Sequence, residues 1–289
     1  MAENMLTSNG FVAAVGYDFS EVFAEINPAK TATLTQIIDA KGVGTASGTL
    51  IQKKVKNLSK TGTSGGQAEG SDAAAPEKSA YETVKNVCEI FKKTAEVSGT
   101  ANAINGAAYS EELNDRIAEI KEDINASIVD GTYSETDPRK MKGFLKFAKK
   151  TVTVADVLNE AELDEAIQNV GSKGDLRLAI NPANMLAVQR NLIGDKAAIN
   201  MTTKEVVAGI FVNEYQSAQG VNVKLYAEPA LPANTYMLYD MDKVEYLELV
   251  NRAMAVEPLA KTGDSEKAQV VTEVTCICNP ASVVKLAKA

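Results

Sequence analysis

The sequence contains no histidine among its 289 residues. This absence removes the commonest general base near neutral pH, the Ser-His and Cys-His nucleophile pairs, and the commonest zinc ligand. Hydrolases that use a histidine base and metalloenzymes that use histidine ligands are therefore disfavoured. We expect a protein without catalytic residues, metal or cofactor, and hence not an enzyme.

Cysteine is scarce as well, with three residues in the chain. Cys88 stands alone, whereas Cys276 and Cys278 are two residues apart in a strand-like segment, a spacing that places both on one face of a strand. Two thiols without a histidine or a second pair cannot complete a tetrahedral zinc site within one chain. We expect all three cysteines to be reduced and to act as small apolar side chains.

Long apolar runs and an excess of positive charge are also missing. No run approaches the roughly 20 apolar residues that a membrane-spanning helix needs, and the N-terminal segment lacks the basic region of a secretion signal. The formal charge is −8, from 30 basic and 38 acidic residues, which argues against a surface that neutralises DNA phosphates. We expect a globular protein of one or two domains that is made in the cytoplasm and stays there.

The longest helix signal lies between residues 102 and 131. Apolar residues recur there at spacings of three and four, on one face of a helix that ends at Gly131. These residues are Leu113, Ile117, Ile120, Ile124 and Ile128. The carboxylates of the segment fall largely on the other faces, where burial or crowding would not separate their pKa values as a catalytic pair requires. We predict one long helix with a solvated acidic face.

The first 75 residues contain little that could form a core of its own. A helical apolar stripe in residues 11–26 is broken at Pro28 and followed by a segment that we predict to be extended. Residues 42–75 are rich in Gly, Ser and Thr around a strand signal at Thr49–Leu58, which predicts a flexible linker or a long projecting hairpin. The glycine run at Gly42–Gly48 lacks the Lys-Ser/Thr ending of a phosphate-binding loop, so we reject that interpretation.

The second half of the chain alternates strands with helices, which predicts an α/β or α+β layer domain. It closes with a strand, a turn at Gly263-Asp264, and a second strand whose alternating apolar residues indicate a hairpin. The lysine, threonine and aspartate near this turn suit a surface turn better than a ligand site.

Five blocks of the sequence matter together because of their order along the chain. The main blocks are Lys85–Gly131, Arg139–Leu145 and Pro258–Ser282, and the flanking blocks are Asn27–Ile37 and Asn213–Asp240. In this order they resemble a major capsid protein family of tailed bacteriophages. Each block alone has low specificity, but their common order covers most of the chain. The family adopts the Hong Kong 97-type capsid fold, so the resemblance implies an α+β protein that self-assembles into hexamers and pentamers of an icosahedral shell around DNA.

The resemblance also implies a division of the chain. Residues 1–41 would be an N-terminal arm, and residues 42–80 an extended loop that lies over an adjacent subunit. Residues 81–154 and 246–289 would form a peripheral domain, with a spine helix at about 102–130, and residues 155–245 an axial domain. The candidate contacts between subunits are apolar residues of the arm and loop: Phe11, Phe19, Phe23, Leu50, Val55 and Leu58.

The implied partners are further copies of the chain, scaffolding and portal proteins, with decoration proteins as an option, and double-stranded DNA held without sequence-specific contacts. No large N-terminal scaffolding region is evident, so we expect a separate scaffold. The expected location is the virion, with assembly in the cytoplasm of a bacterial host and no membrane.

Two other interpretations stay open at this point. A shell of the same fold could be an encapsulin-like compartment that encloses protein cargo, and co-purified nucleic acid would separate the two. A small-molecule-binding α/β domain would instead need a discrete pocket with convergent polar groups and saturable binding by a monomer.

Overall fold

The computed structural model describes residues 28–57, 69–70, 72, 80–193, 201–207, 210–261 and 263–288. Within these ranges the chain forms six α-helices and fourteen β-strands. The helices are α1 (Ala32–Lys41), α2 (Gly99–Ile104), α3 (Ala108–Asp130), α4 (Phe144–Phe147), α5 (Glu160–Asn169) and α6 (Pro182–Ile193). The strands are β1 (Gly44–Ala46), β2 (Leu50–Asn57), β3 (Ala80–Val87), β4 (Glu89–Ser98), β5 (Lys150–Val154), β6 (Leu176–Ile180), β7 (Met201–Val207), β8 (Ile210–Gln216), β9 (Asn222–Ala227), β10 (Thr235–Asp240), β11 (Val244–Leu249), β12 (Ala255–Pro258), β13 (Ser265–Cys278) and β14 (Val283–Lys288).

The 14-residue strand β13 is the centre of a five-stranded sheet. Along one edge it pairs with β4, and along the other with β12 and β11, beyond which β1 adds in parallel. The long helix α3 packs across β4 and β13. Its buried Ile120, Ile124 and Ile128 share a core with Phe91 and Val270 of the two strands. The predicted apolar stripe is therefore the face that α3 buries.

A seven-stranded sheet follows the order β5-β14-β10-β6-β9-β8-β7. Helices α5 and α6 contribute Leu163, Ile167 and Val188 to a second core on one face of this sheet. On the other face, Met237 and Tyr239 of β10 join the first core. Every residue of β10 is buried, as expected for a strand covered on both faces. The mixed helices and strands confirm the predicted α+β class.

The predicted long helix is confirmed in its position and its end. Asp130 is the last residue of α3, and Gly131 follows it. The start differs, because the chain forms the short helix α2 first and turns before α3 begins at Ala108. The side chain of Ser98 caps α2 by accepting a hydrogen bond from the Ala101 amide at 3.2 Å. That cap satisfies an amide at the start of α2 that would otherwise lack a partner.

The extended segment predicted after Pro28 is wrong. Residues 28–31 form a 3-10 turn and α1 follows as a regular helix. Ala32, Leu34 and Ile37 of α1 are buried in the first core. Its threonine-rich sequence carries a weak helix signal, and burial of one face overrides that local preference.

Strand pairing divides the last 44 residues in a way that the sequence did not indicate. The predicted hairpin is present, since β12 and β13 pair antiparallel in the five-stranded sheet. Strand β14, in contrast, lies in the seven-stranded sheet between β10 and β5, although the predicted bounds group residues 246–289 in one domain. The chain thus returns to the seven-stranded sheet at its end.

Strands β2 and β3 form a separate two-stranded antiparallel hairpin, in register from Leu50↔Val87 to Asn57↔Ala80. Between the two open interpretations of residues 42–75, the described part is thus a hairpin. The preceding glycine run contributes β1, which pairs with β11 in the five-stranded sheet. None of the described helices is both long and apolar enough to cross a membrane.

Candidate assembly surfaces

The β2–β3 hairpin has one face against the body of the chain and one face toward solvent. Ile51, Val55 and Val84 alternate on the inner face and pack against the first core. The other positions of the two strands form what we call the outer face of the hairpin. Its members, exposed apart from the buried Val87, are Leu50, Gln52, Lys54, Lys56, Tyr81, Thr83, Lys85 and Val87.

The outer face carries positive charge and an exposed aromatic ring. Tyr81 is 63% exposed, the largest value among the large hydrophobic residues that the structure describes. Lys85 pairs with Glu135, whereas Lys54 and Lys56 are exposed and form no ion pair within the described residues. A face with unpaired cations and an exposed ring suits contact with an acidic, partly apolar surface.

Ion pairs and one buried amide fix the base of the hairpin to the body. Lys53 pairs with Glu245, and Lys149 pairs with Glu82 at 2.5 Å. The Asn86 amide nitrogen donates to the carbonyl oxygens of Lys142 at 3.1 Å and Cys276 at 2.5 Å. Its side-chain oxygen accepts from the Lys142 amide at 2.7 Å. The base of the hairpin is therefore held to β13 and to the segment before α4.

The acidic face of α3 is less solvated than the sequence predicts, because lysines from other elements cross over it. Lys93 contacts Glu119 at 3.1 Å and Asp123 at 2.9 Å, and Lys30 contacts Glu122 at 3.3 Å. These pairs are partly exposed, and each contributes about 0–1 kcal/mol. No arrangement for acid–base catalysis results.

A buried polar junction joins α1, α3 and the segment that follows β9. One carboxylate oxygen of Glu228 accepts from the Thr33 amide at 2.9 Å and the Thr33 hydroxyl at 2.5 Å. The other oxygen accepts from the Asn125 side chain at 2.8 Å and the Ala230 amide at 3.0 Å. Burial outweighs these hydrogen bonds and raises the pKa of Glu228.

Two tyrosines extend this junction into the seven-stranded sheet. The Tyr226 hydroxyl lies 2.9 Å from the Thr33 hydroxyl and 2.9 Å from the Tyr239 hydroxyl. Thr33, Asn125, Glu228 and both tyrosines are all 0% exposed. Burial also raises the pKa of Tyr226 well above its usual value. The junction ties α1 to α3 and to the seven-stranded sheet without solvent contact.

The described part of the chain shows neither a metal site nor a reactive thiol of the kind that enzymes use. No group of three potential metal-ligating side chains occurs there. All three cysteines are free and buried, as expected, and burial raises the pKa of Cys88 to about 11. A thiol with a raised pKa is a poor nucleophile at neutral pH.

A pocket of about 270 Å³ lies at the end of α3. Glu89, Ser127, Asp130 and Lys140 line it together with three small residues. Glu89 accepts a hydrogen bond from the Met141 amide at 3.0 Å, and burial raises its pKa. Both carboxylates of the pocket contact their own chain, since Asp130 pairs with Lys146 at 3.1 Å.

The predicted contact residues fall into three groups. Phe11, Phe19, Phe23 and Leu58 lie outside the described residues. Leu50 is 42% exposed on the outer face of the hairpin, so it is available to a neighbour. Val55 is half-buried against the core of its own chain. Tyr81, which was not among the predicted residues, lies on the same outer face and is more exposed than Leu50.

Comparison with known proteins gives one family and one fold. A family model described as SU10 major capsid protein matches residues 4–288. A search of curated protein sequences finds no match.

Solved capsid and encapsulin structures are similar over nearly the full chain. The capsid of cyanophage A-1(L) has 13% identity and a TM-score of 0.66, covering 98% of this chain and 99% of its own. The SrpI encapsulin of Synechococcus elongatus PCC 7942 has 12% identity and a TM-score of 0.65, covering 96% and 94%. The capsid of a native GTA particle has 14% identity and a TM-score of 0.60, covering 90% of both chains. At these identities the likeness establishes the fold, which is the Hong Kong 97-type capsid fold.

Proposed function

Because the chain belongs to the SU10 major capsid protein family, we propose that it builds the icosahedral head of a tailed bacteriophage from hexamers and pentamers that enclose double-stranded DNA. The observation that carries this proposal is the family match over residues 4–288. The protein is a major capsid protein, so its place is the capsid of the virion. Capsid proteins of this kind act as many copies in one shell.

We assign the parts of the shell as follows. The five-stranded sheet with α3 forms the peripheral domain, and the seven-stranded sheet with α5 and α6 forms the axial domain. Residues before the 3-10 turn at 28–31 act as the arm. The β2–β3 hairpin acts as the extended loop, and its outer face lies on an adjacent subunit. The exposure of Tyr81 and Leu50 and the unpaired Lys54 and Lys56 support this last assignment.

Assembly and stability of such a shell are coupled. The outer face of the hairpin is exposed in the single chain, and packing against another surface supplies the burial that this face lacks. Closed symmetry repeats this contact around each ring and over the whole shell. Modest contacts per subunit then accumulate into a durable container.

The proposed partners follow from the same role. Scaffolding and portal proteins would set the size of the head and the entry point for DNA, and decoration proteins would bind outside. Assembly would take place in the cytoplasm of the bacterial host. The net charge of −8 supports a shell that encloses DNA without holding it tightly.

Electron microscopy of the purified chain, with light scattering on the same sample, tests the proposal. We expect closed shells, tubes, or rings of five and six subunits. A monodisperse monomer near 30.7 kDa that stays monomeric on co-expression with a scaffolding protein would contradict it.

An encapsulin-like compartment is the second candidate, favoured by the TM-score of 0.65 to the SrpI encapsulin. Shells of the two kinds differ in content. Nuclease-protected DNA in particles from infected cells supports the virion, whereas a single enriched cargo protein supports the compartment.

A further inference from the structure

Glu228 is a buried carboxylate in an unusual setting. It accepts four hydrogen bonds, yet within the described residues no lysine or arginine pairs with it. A charge buried without a counter-ion costs folding free energy, even when hydrogen bonds satisfy its oxygens. Two of its four donors belong to Thr33 of α1, so the environment of this carboxylate depends on whether α1 is docked.

We propose that Glu228 is a proton-linked latch, which holds helix α1 at the junction of the two sheets more tightly when its carboxyl group is protonated. This latch is a property of the single folded chain, so it does not depend on shell assembly. Its ligand is the proton, and the element that it controls is α1, to which residues 1–27 are attached.

The hydroxyl chain of the junction can accommodate both protonation states. With Glu228 ionised, the Thr33 hydroxyl donates to the carboxylate, Tyr226 donates to Thr33, and Tyr239 donates to Tyr226. With Glu228 protonated, the carboxyl group donates to Thr33, Thr33 donates to Tyr226, and Tyr226 donates to Tyr239 along the same distances of 2.5–2.9 Å. The Tyr239 hydroxyl, at the end of the chain, then has no acceptor among the described residues. Hydroxyl hydrogens rotate freely between two acceptors, so no heavy atom needs to move.

Other charged groups near the junction are already paired. Arg177, which faces Tyr239, contacts Asp175 at 2.8 Å and the Gln36 side chain of α1 at 2.8 Å. Lys30 and Glu122 form a surface ion pair beside α1. The raised pKa values of Tyr226 and Tyr239 keep both phenols neutral up to alkaline pH. Glu228 is therefore the buried acid at this junction, and burial raises its pKa.

The direction of the effect follows from linkage. Undocking of α1 exposes Glu228 to water, where its pKa returns to the ordinary value of about 4.3. The docked state has the higher pKa, so it is favoured in acid. The equilibrium constant for docking of α1 then falls as pH rises above the ordinary carboxyl pKa. The fall is at most about tenfold per pH unit, because one proton is involved. The loss levels off once Glu228 is ionised in both states.

Hydrogen exchange of the full-length protein between pH 4 and 8 measures this equilibrium. The informative amides are those of Thr33 and Leu34, which donate to Glu228 and Asn125, and those of the last turn of α1. After correction for the intrinsic pH dependence of exchange, we expect their protection factors to fall with rising pH and then to level off. Amides of the central strand β13 should show no such fall.

Three variants test the assignment to Glu228. Glu228→Gln should make the protection of α1 independent of pH, whatever its absolute level. Thr33→Val removes one donor to the carboxylate, so the fall should continue to higher pH than in the wild type. Glu122→Gln, which changes the exposed carboxylate beside α1, should keep the wild-type profile.

Constant protection of α1 in the wild type from pH 4 to 8 would overturn the latch. So would a wild-type pH profile in Glu228→Gln, or its loss in Glu122→Gln. If Glu228→Gln does not fold, the Thr33→Val variant decides. A pH profile of α1 protection in Thr33→Val that matches the wild type would also overturn the latch. The test does not involve assembly, so its failure leaves the proposed capsid role untouched.

Discussion

Asn86 is a single residue on which three segments depend. Its side chain lies at 0% exposure between β3, the segment before α4, and β13. It offers two donors to carbonyl oxygens and one acceptor to the Lys142 amide. An amide is the side chain that can do both at once. The sequence alone gives no sign of this, because an asparagine within a strand-like segment is compatible with many environments.

Replacement of Asn86 by alanine should lower the free energy of unfolding by about 2–3 kcal/mol, since buried carbonyl and amide groups lose their partners. Urea denaturation of the unassembled chain measures the loss. The matched control is Asn114→Ala on the exposed face of α3, which should change stability by less than about 0.5 kcal/mol.

Replacement of Asn86 by aspartate should produce a pH-dependent defect. The new carboxyl group faces two carbonyl oxygens, which raises its pKa above the ordinary value of about 3.9. The folded state then binds the proton more tightly, so stability relative to the wild type is lost as pH rises from 4 through the folded pKa. Equal differences in urea midpoint at pH 4 and pH 7 would contradict this expectation.

At the scale of elements, α3 and α4 meet through two glycines. The Gly143 amide donates to the Gly131 carbonyl oxygen at 2.9 Å. A Cβ atom on Gly143 would lie 2.3 Å from the Gly131 nitrogen, and one on Gly131 would lie 2.4 Å from the Ser127 oxygen. Both obstacles are backbone, which cannot rotate away. The end of the long helix is therefore set by backbone contact as well as by side-chain packing.

The Gly143→Ala variant should be destabilised by at least about 3 kcal/mol, because the backbone of α3 or α4 must shift. Gly106→Ala is the matched control, since a Cβ there has no neighbour within 4 Å. It should alter stability by less than about 1 kcal/mol. Thermal unfolding midpoints of the two variants and the wild type test this prediction. Similar midpoints for both variants would show that the backbone between α3 and α4 can accommodate a Cβ atom at position 143.

The hairpin is the element on which assembly is proposed to depend. The double variant Lys54→Glu and Lys56→Glu should raise the protein concentration needed for assembly at least about tenfold, which corresponds to about 1.4 kcal/mol. Light scattering over a concentration series measures this threshold. The charge-retaining double variant Lys54→Arg and Lys56→Arg should assemble as the wild type does.

The Lys54→Glu and Lys56→Glu variant could fail to assemble because the interface is weakened or because the chain is misfolded. Thermal unfolding of the unassembled chain separates these two causes. Both lysines are exposed and have no described ion pair, so the thermal midpoint of the unassembled chain should stay within a few degrees of the wild type. Normal assembly by the glutamate variant would remove Lys54 and Lys56 from the interface.

For the whole molecule, fold and function carry different information. A phage capsid and an encapsulin have TM-scores of 0.66 and 0.65 to this chain, so the fold does not separate a virion from a compartment. The family match does so, since it extends over residues 4–288 and describes a major capsid protein.

The charge of the whole chain predicts its behaviour toward DNA. With a net charge of −8, the free protein should not be retained on double-stranded DNA at about 0.15 M salt. Any retention at low salt should decrease steeply as salt is added. Gel-shift assays over a salt series test this, and retention that does not respond to salt would contradict a container that holds DNA loosely.

The sequence by itself determined the local elements, because their signals are periodic and short-range. The spacing of Ile120, Ile124 and Ile128 fixed α3 and its buried face, and alternation indicated β2, β3 and the β12–β13 hairpin. The order of the blocks gave the family. The absence of histidine pointed away from catalysis before any element was placed.

Only the tertiary structure decided how distant segments meet. Thr33, Asn125 and Glu228 are separated by about a hundred residues at each step, and no local pattern marks them as partners. The same holds for α1, whose helix depends on burial, and for β14, which joins the seven-stranded sheet beside β5. Periodicity predicts which face of an element is buried. It does not predict which other element covers that face, since that depends on the contacts that fold the whole chain.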